Sequence, residues 1–281
     1  MERGMRIATR GSKLALAQAD IISSLLRDNG ILAEKITVKS QGDVDVRSPI
    51  YESKEQGVFV RKLNEKVIDG YADAAVHSAK DIPYEIDPDL EVSFFSKRGD
   101  PRDFFVGKKS ISQFSGTVGS SSIRRMMFLR LYNNKLIFEN IRGNVETRIR
   151  KWSDGEVGAL VLAKVALDRL MLTPEGEVIP ESVCPPDPNQ GFIAVVTRKN
   201  SSEGMLFRKM QDPEALWEAS TERELVGELQ LGCSRAVSIR AAFPTKTISF
   251  SYANEEKRYD LHFKQSVDRS ALNRIREIID G

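Results

Sequence analysis

The chain has 281 residues, 42 basic against 40 acidic, with a formal net charge of +2, 41% hydrophobic and 29% charged. That is an ordinary globular composition, long enough for about two domains or three small ones, and it excludes a general polyanion-binding surface, so any anion recognition has to come from local clusters of arginine. Two cysteines (Cys184, Cys233) and two histidines (His77, His262) make neither a disulfide framework nor a His-rich metal site, and with no secretory h-region or membrane-length apolar run the expectation is a cytoplasmic protein without a membrane partner.

Met5 to Thr9 reads as a first strand, Arg10-Gly11-Ser12 as a turn, and Leu14 to Leu26, apolar at helical spacing, as a helix stopped by Asn29-Gly30. Ala33 to Val38 is a second strand, followed by the polar loop Ser40 to Asp43. Gly57 to Val60 leads into a helix through Ile68 that ends at Gly70. Ala72 to Val76 is then a short apolar run, long enough for a buried strand, which turns polar at Ser78, Lys80 and Asp81 before Pro83. A buried strand that ends in a loop carrying a cation and a carboxylate is where an open α/β sheet places its chemistry. The plain alternative is a solvated pair of adjacent charges. His77, following an apolar strand, reads as structural. The alternation of strand and helix argues for a doubly wound sheet of parallel strands, with Arg10, Asp43 and Asp81 gathered at one rim.

Asp100-Pro-Arg-Asp103 opens a second unit. Gly116 to Ser122 is a small-residue loop after a short strand, and Ile123 to Leu129 looks helical. Backbone N–H groups and serine hydroxyls at a helix start make an anion site, to which Arg124 and Arg125 would add charge; the alternative is a simple serine cap with a basic first turn. Basic residues there oppose the helix dipole, so they call for another purpose. Leu136 to Ile141 is a strand running into Arg142-Gly-Asn-Val-Glu-Thr-Arg148, and Val157 to Ala163 is a buried strand followed by a helix with Arg169. Arginines repeated past strand ends suggest a cleft for several carboxylates or phosphates.

Pro180 to Pro188 is too proline-rich for a helix or central strand and reads as a connection, after which Gly191 to Thr197 returns to the first unit as a strand. From Pro213 the pattern changes: a helix over Leu216 to Leu229, a turn at Gly232-Cys233-Ser234, alternating strands at 237–243, 247–252 and 258–263, and an amphipathic helix from Ser270 to Ile279. The expected organisation is residues 1–98 plus 190–212, residues 99–189, and a small α+β domain over 213–281. No internal sequence repeat is visible. Nucleotide-binding, zincin and serine-hydrolase motifs are absent. Cys233, in a Gly-flanked turn, suits a nucleophile or attachment point, against the commoner small buried cysteine.

Taken in order, Arg6-Ile-Ala-Thr-Arg10 with Ser12, Gln41-Gly-Asp43, Val76-His-Ser-Ala-Lys-Asp-Ile-Pro83, Asp100-Pro-Arg-Asp103, Gly119-Ser-Ser-Ser-Ile-Arg-Arg125, Arg142-Gly-Asn-Val-Glu-Thr-Arg148, Gln190-Gly191, Glu222-Arg223 and Gly232-Cys233 resemble the hydroxymethylbilane synthase (porphobilinogen deaminase) family over nearly the full chain. The resemblance implies two lobes like those of periplasmic binding proteins, with the active site between them, and a third small domain. It also implies a dipyrromethane cofactor joined by a thioether to Cys233; a monomer is expected, and the near-zero charge balance and scattered arginines argue against a nucleic-acid partner. Its reaction would be the condensation of four porphobilinogen units, with loss of ammonia at each, into linear hydroxymethylbilane. Asp81 matches the catalytic aspartate, which would stabilise an electron-poor azafulvene and shuttle protons. Arg10, Arg124, Arg125, Arg142, Arg148 and Arg169 match carboxylate-binding positions, with Lys80, Ser12, Ser120, Ser122 and Gln190 as further binding residues. The chain departs from the family pattern at Gln56, Phe192 (read as a bulkier lining), Glu228, Leu231, Ala236 and Ser238. The competing reading is a two-lobed carboxylate- or tetrapyrrole-binding protein without turnover, against which Asp81 and Cys233 both argue.

Overall fold

The computed structural model describes residues 4–38, 55–231 and 235–280, so Asp43 and Cys233 lie outside the described residues, as does the side chain of Gln56. Along the chain, β1 (Met5–Arg10), α1 (Lys13–Asp28), β2 (Ala33–Val38), α2 (Glu55–Ile68), β3 (Ala74–Ser78) and β4 (Leu90–Phe95) precede β5 (Asp103–Val106), β6 (Gly116–Gly119), α3 (Ile123–Tyr132), β7 (Leu136–Glu139), α4 (Val145–Ser153), β8 (Ala159–Ala163), α5 (Lys164–Arg169) and β9 (Gly176–Val178). Then come β10 (Ile193–Arg198), α6 (Ser202–Lys209), α7 (Pro213–Glu228), β11 (Val237–Ala242), β12 (Thr247–Ala253), β13 (Arg258–Lys264) and α8 (Arg269–Asp280).

Two compact units result: Met1–Gly99 with Arg169–Met171 and Gly191–Leu216, and Asp100–Asp168 with Leu172–Gln190 and Trp217–Gly281. The first unit holds a five-stranded sheet in the order β2-β1-β3-β10-β4 and the second one in the order β7-β6-β8-β5-β9. These are the same arrangement, an architectural repeat that left no trace in the sequence. The expectation of parallel strands is corrected at one place in each sheet: β10 runs antiparallel to β3 and β4, and β5 antiparallel to β8 and β9. Each odd strand is the one by which the chain enters that unit, β5 directly after β4 and β10 after β9. No crossover helix is present there to bring the chain round into parallel register.

Burial follows from helices on both faces. All but the last residue of β3 and of β10 are buried, and Ile7, Ile22, Leu26, Val76, Val195 and Phe207 share one core cluster. Short elements escaped the sequence reading. Four-residue β5 is too brief to show a period, and β6 occupies Gly116–Gly119 itself, within the stretch expected to be a loop. Gly119 packs closely: a Cβ there would sit 2.7 Å from Leu160 Cδ2 and 3.0 Å from Ile141 Cγ2, so any larger residue would force these side chains to shift.

The antiparallel sheet β11-β12-β13 has its own core, with Leu225, Ile239, Phe250 and Ile275. It nevertheless groups with the second unit, and hydrogen bonds explain why. Buried Glu222 accepts from Asn189 N (2.6 Å) and Ala241 N (2.8 Å), and Ser238 Oγ donates to Pro186 O (2.5 Å), so the proline-rich connection is stitched to this region.

Candidate active site

In the first unit, β1 and β3 lie side by side and parallel, Ile7 opposite Ala74 and Ala8 opposite Ala75, so Arg10 and the turn after Ser78 leave the sheet at the same edge. That turn, Ala79–Asp81, is a single 3-10 turn closed by Ile82 N donating to Ala79 O at 3.2 Å. Buried Ala79 and Ile82 anchor it, leaving Lys80 exposed and Asp81 half-buried at the rim. Gln18 Nε2 donates to Ser78 Oγ (2.8 Å) and steadies its start. Ser12 caps α1, accepting from Ala15 N at 3.3 Å, which leaves its O–H able to donate. The Arg10 guanidinium lies 4.2 Å from the Phe59 ring centroid, a stacking that orients it without using its donors. Arg169 Nη2 donates to Gly191 O at 2.7 Å.

His77 is structural, as the sequence reading has it. It is buried, its Nε2 pairs with Asn64 Oδ1 at 3.0 Å, and burial lowers its pKa to about 3. A histidine kept neutral in the folded state contributes stability that is whole above its unfolded pKa, near 6.5, and is lost as pH falls from there toward about 3. Moving from pH 7 to pH 5 should therefore cost on the order of 2 kcal/mol through this residue. Chemical denaturation of His77→Asn beside the parent at both pH values tests this: the variant's loss on acidification should be clearly smaller, and equal losses would remove His77 as the cause.

The second unit carries its serine and arginine residues after the C-terminal ends of β6 and β7. Ser122 caps α3, accepting from Arg125 N at 3.4 Å, and Ser120 Oγ accepts from Ser122 N at 3.2 Å. Asn144 caps α4, accepting from Thr147 N at 2.8 Å; with Gly155 as its stop, that cap was the available signal for a helix the sequence reading missed. Gly143, at φ +111°, lets the chain turn between Arg142 and this cap, and Arg148 Nε donates back to Gly143 O at 2.8 Å.

Arg124 and Arg125, neighbours in sequence, have different surroundings. Arg124 is 2% exposed, and its donors all have protein partners: Asp103 Oδ2 (2.8 Å), Asp187 Oδ1 (2.8 Å), Pro185 O and Cys184 Sγ (3.2 Å). Its guanidinium is engaged inside the fold, on Asp103 and Asp187. Burial alone would lower its pKa, but Asp103 and Asp187 raise it well above the usual value. Gln190 joins the same network, fully buried with Nε2 donating to Pro101 O (2.6 Å) and Asp103 Oδ1 (3.0 Å). Asp103, which the sequence reading gave no role, is the centre of this network. Burial favours its neutral form, yet Arg124 and Arg125 hold its carboxyl well below the usual carboxylate range. Cys184 is an inert member, its thiol pushed up to about 12 by burial.

Arg125 donates through Nη2 to Asp103 Oδ1 (2.7 Å) and through Nη1 to Val161 O (3.1 Å), while its buried Nε has no partner. Arg142 buries Nε and Nη2 without a partner for either. Arg148 is pulled down to about 10 by burial and then by the charge of Arg125. Buried donors without acceptors, beside a guanidinium whose charge is disfavoured, form a place that an anion would stabilise. Several carboxylates on one small molecule match it best, since a guanidinium edge takes a carboxylate through two parallel hydrogen bonds. Among the described residues no group of His, Cys, Asp and Glu could hold a metal ion. Phe192, expected to line a site, is 1% exposed, packed edge-on to Phe95 (centroids 6.3 Å apart) and covered by the Arg98 guanidinium at 4.5 Å.

Comparison with known proteins supplies the remaining observations. The family model described as "Porphobilinogen deaminase, dipyromethane cofactor binding domain" matches residues 5–205. A probable porphobilinogen deaminase of Thermoplasma volcanium is 43% identical over 237 residues, 84% of this chain and 80% of that protein. One from Pyrobaculum calidifontis is 33% identical over 99% of both chains. Among solved structures, the methionine-binding protein MetQ is 12% identical with a TM-score of 0.46, over 78% of this chain and 94% of that one.

Proposed function

Since the chain belongs to the porphobilinogen deaminase family, we propose that it is a hydroxymethylbilane synthase, a transferase of tetrapyrrole biosynthesis that joins four porphobilinogen molecules, releasing ammonia at each, into linear hydroxymethylbilane. The observation that carries this reading is the set of buried guanidinium donors without acceptors on Arg142 and Arg125, next to the charge-stressed Arg148. Porphobilinogen bears an acetate and a propionate, so a growing chain of such units accumulates the carboxylates this cluster lacks.

The same residues fit the dipyrromethane cofactor named by the family model. Arg125, Arg142 and Arg148, with the hydroxyls of Ser120 and Ser122, would hold its acetate and propionate groups, and Cys233 would carry it through a thioether. Once bound, it supplies an electron-rich pyrrole carbon as the primer for the first condensation.

Arg10, Ser12, Lys80 and Arg169 are assigned to the carboxylates of the substrate units. Asp81 is assigned the proton work. Departure of ammonia leaves positive charge on the substrate pyrrole, and a carboxylate accepting its N–H stabilises that charge and takes up the ring proton afterwards. Arg124 and Gln190 act at a distance, by fixing Asp103. We take the third segment, 213–281, as a separate domain in function, and the enzyme as a cytoplasmic monomer.

The test is stoichiometric. Incubated with porphobilinogen, the protein should release four ammonia for each linear tetrapyrrole formed. Saturable binding of porphobilinogen with no ammonia release would instead favour a carboxylate-binding protein without turnover.

A further inference from the structure

Asp103 stands at the first position of β5, fully buried, with both oxygens doubly used: Oδ1 accepts from Arg125 Nη2 (2.7 Å) and Gln190 Nε2 (3.0 Å), and Oδ2 accepts from Arg124 Nη2 (2.8 Å) and faces Cys184 Sγ (3.7 Å). Arg124 has a second carboxylate, Asp187, whose Oδ1 lies 2.8 Å from Nε. Arg125 has none: Asp103 is its one ion-pair partner among the described residues, and the carbonyl of Val161 takes its other terminal nitrogen. Each terminal nitrogen of Arg125 is thus held by a hydrogen bond on the side of the sheet, and its one nitrogen without a partner is the buried Nε. Arg125 is also a positive neighbour of Arg148, which places the two guanidinium groups near one another.

We propose that Asp103 is a positioning residue for carboxylate recognition: it clamps the Arg125 guanidinium so that the Nε edge is presented to the anion cluster with Arg142 and Arg148. Arg124, saturated by Asp103 and Asp187, is the strut that holds Asp103 in turn. A planar fork held at two nitrogens cannot rotate away, so the remaining donor is oriented before the ligand arrives, which lowers the ordering cost of binding. The inference rests on the reading of the cluster as the site for pyrrole carboxylates.

A double-substitution cycle on the full chain tests it. The readout is the porphobilinogen concentration at which half of the protein carries the added dipyrrole mass, measured by intact-mass spectrometry on protein prepared without the cofactor. Asp103→Asn keeps the shape and removes the charge, and it should raise this concentration roughly tenfold or more. Arg125→Leu should raise it similarly. The double variant should match Arg125→Leu, because Asp103 has nothing left to position.

If Asp103 only holds the fold, its substitution will lower loading further in the Arg125→Leu background, and that result overturns the proposal. Equal loading of Asp103→Asn and the parent overturns it too. Should Asp103→Asn alone not fold, the comparison of Arg125→Leu with the double variant still decides, since that pair removes one charge of each sign. A parent chain that takes up no dipyrrole mass at all would count against the functional reading itself, and is thereby told apart from a failure of the clamp.

Discussion

Asp81→Ala is expected to bind porphobilinogen with little change in affinity while its turnover falls by a factor on the order of 10²–10⁴, the usual worth of a positioned acid–base group. The separation follows from where the residue sits. Asp81 closes a 3-10 turn fastened from below by buried Ala79 and Ile82, so truncating its side chain leaves the turn in place. Binding is assigned to arginines, and truncation removes none of them. The charge developing as ammonia leaves loses its partner, so the effect belongs in kcat more than in KM. Initial rates across porphobilinogen concentrations measure this directly. A variant with near-normal kcat would withdraw Asp81 from the chemistry, and one with a raised KM alone would recast it as a binding residue.

Arg142→Leu is expected to act on stability and on binding with opposite signs. Two buried nitrogens of Arg142 lack partners, and a buried donor left unsatisfied costs about 1–3 kcal/mol, so an apolar replacement should leave the thermal midpoint of the cofactor-free protein unchanged or raise it. Dipyrrole loading should weaken by roughly a hundredfold, as expected when one side of a buried charge-assisted pair is removed. Calorimetric melting together with a loading titration separates the two effects. A lowered midpoint with unchanged loading would make Arg142 a structural residue and contradict the assignment.

Much of this was legible in the sequence wherever the signal was local. The apolar run from Ala72 to Val76, the helix stop at Asn29-Gly30 and the serine before Ile123 each carried their structure in a few residues. The arginines after strand ends marked the anion cluster for the same reason. What failed was non-local. The direction of β5 and β10 depends on the chain's passage between units, which no periodicity encodes. The different fates of Arg124 and Arg125 depend on Asp103 and Asp187, 21 and 63 positions from Arg124 in sequence. A faint signal did exist: a carboxylate leading straight into the apolar strand Asp103–Val106 is buried only when paired, so Asp103 demanded cationic partners. The small-residue stretch from Gly116 was read as a loop because glycine favours turns. Gly119 is there instead to let β6 pack against Leu160 and Ile141.

If this chain builds tetrapyrroles on a primer held by its own cysteine, an intact-mass spectrum of the purified protein, followed by peptide mapping around Cys233, should reveal it. An added dipyrrole mass is expected to map to Cys233, either as isolated or after incubation with porphobilinogen. An unmodified Cys233 after that incubation would contradict it, and would leave a carboxylate-binding protein with the residues around that cysteine as the reason.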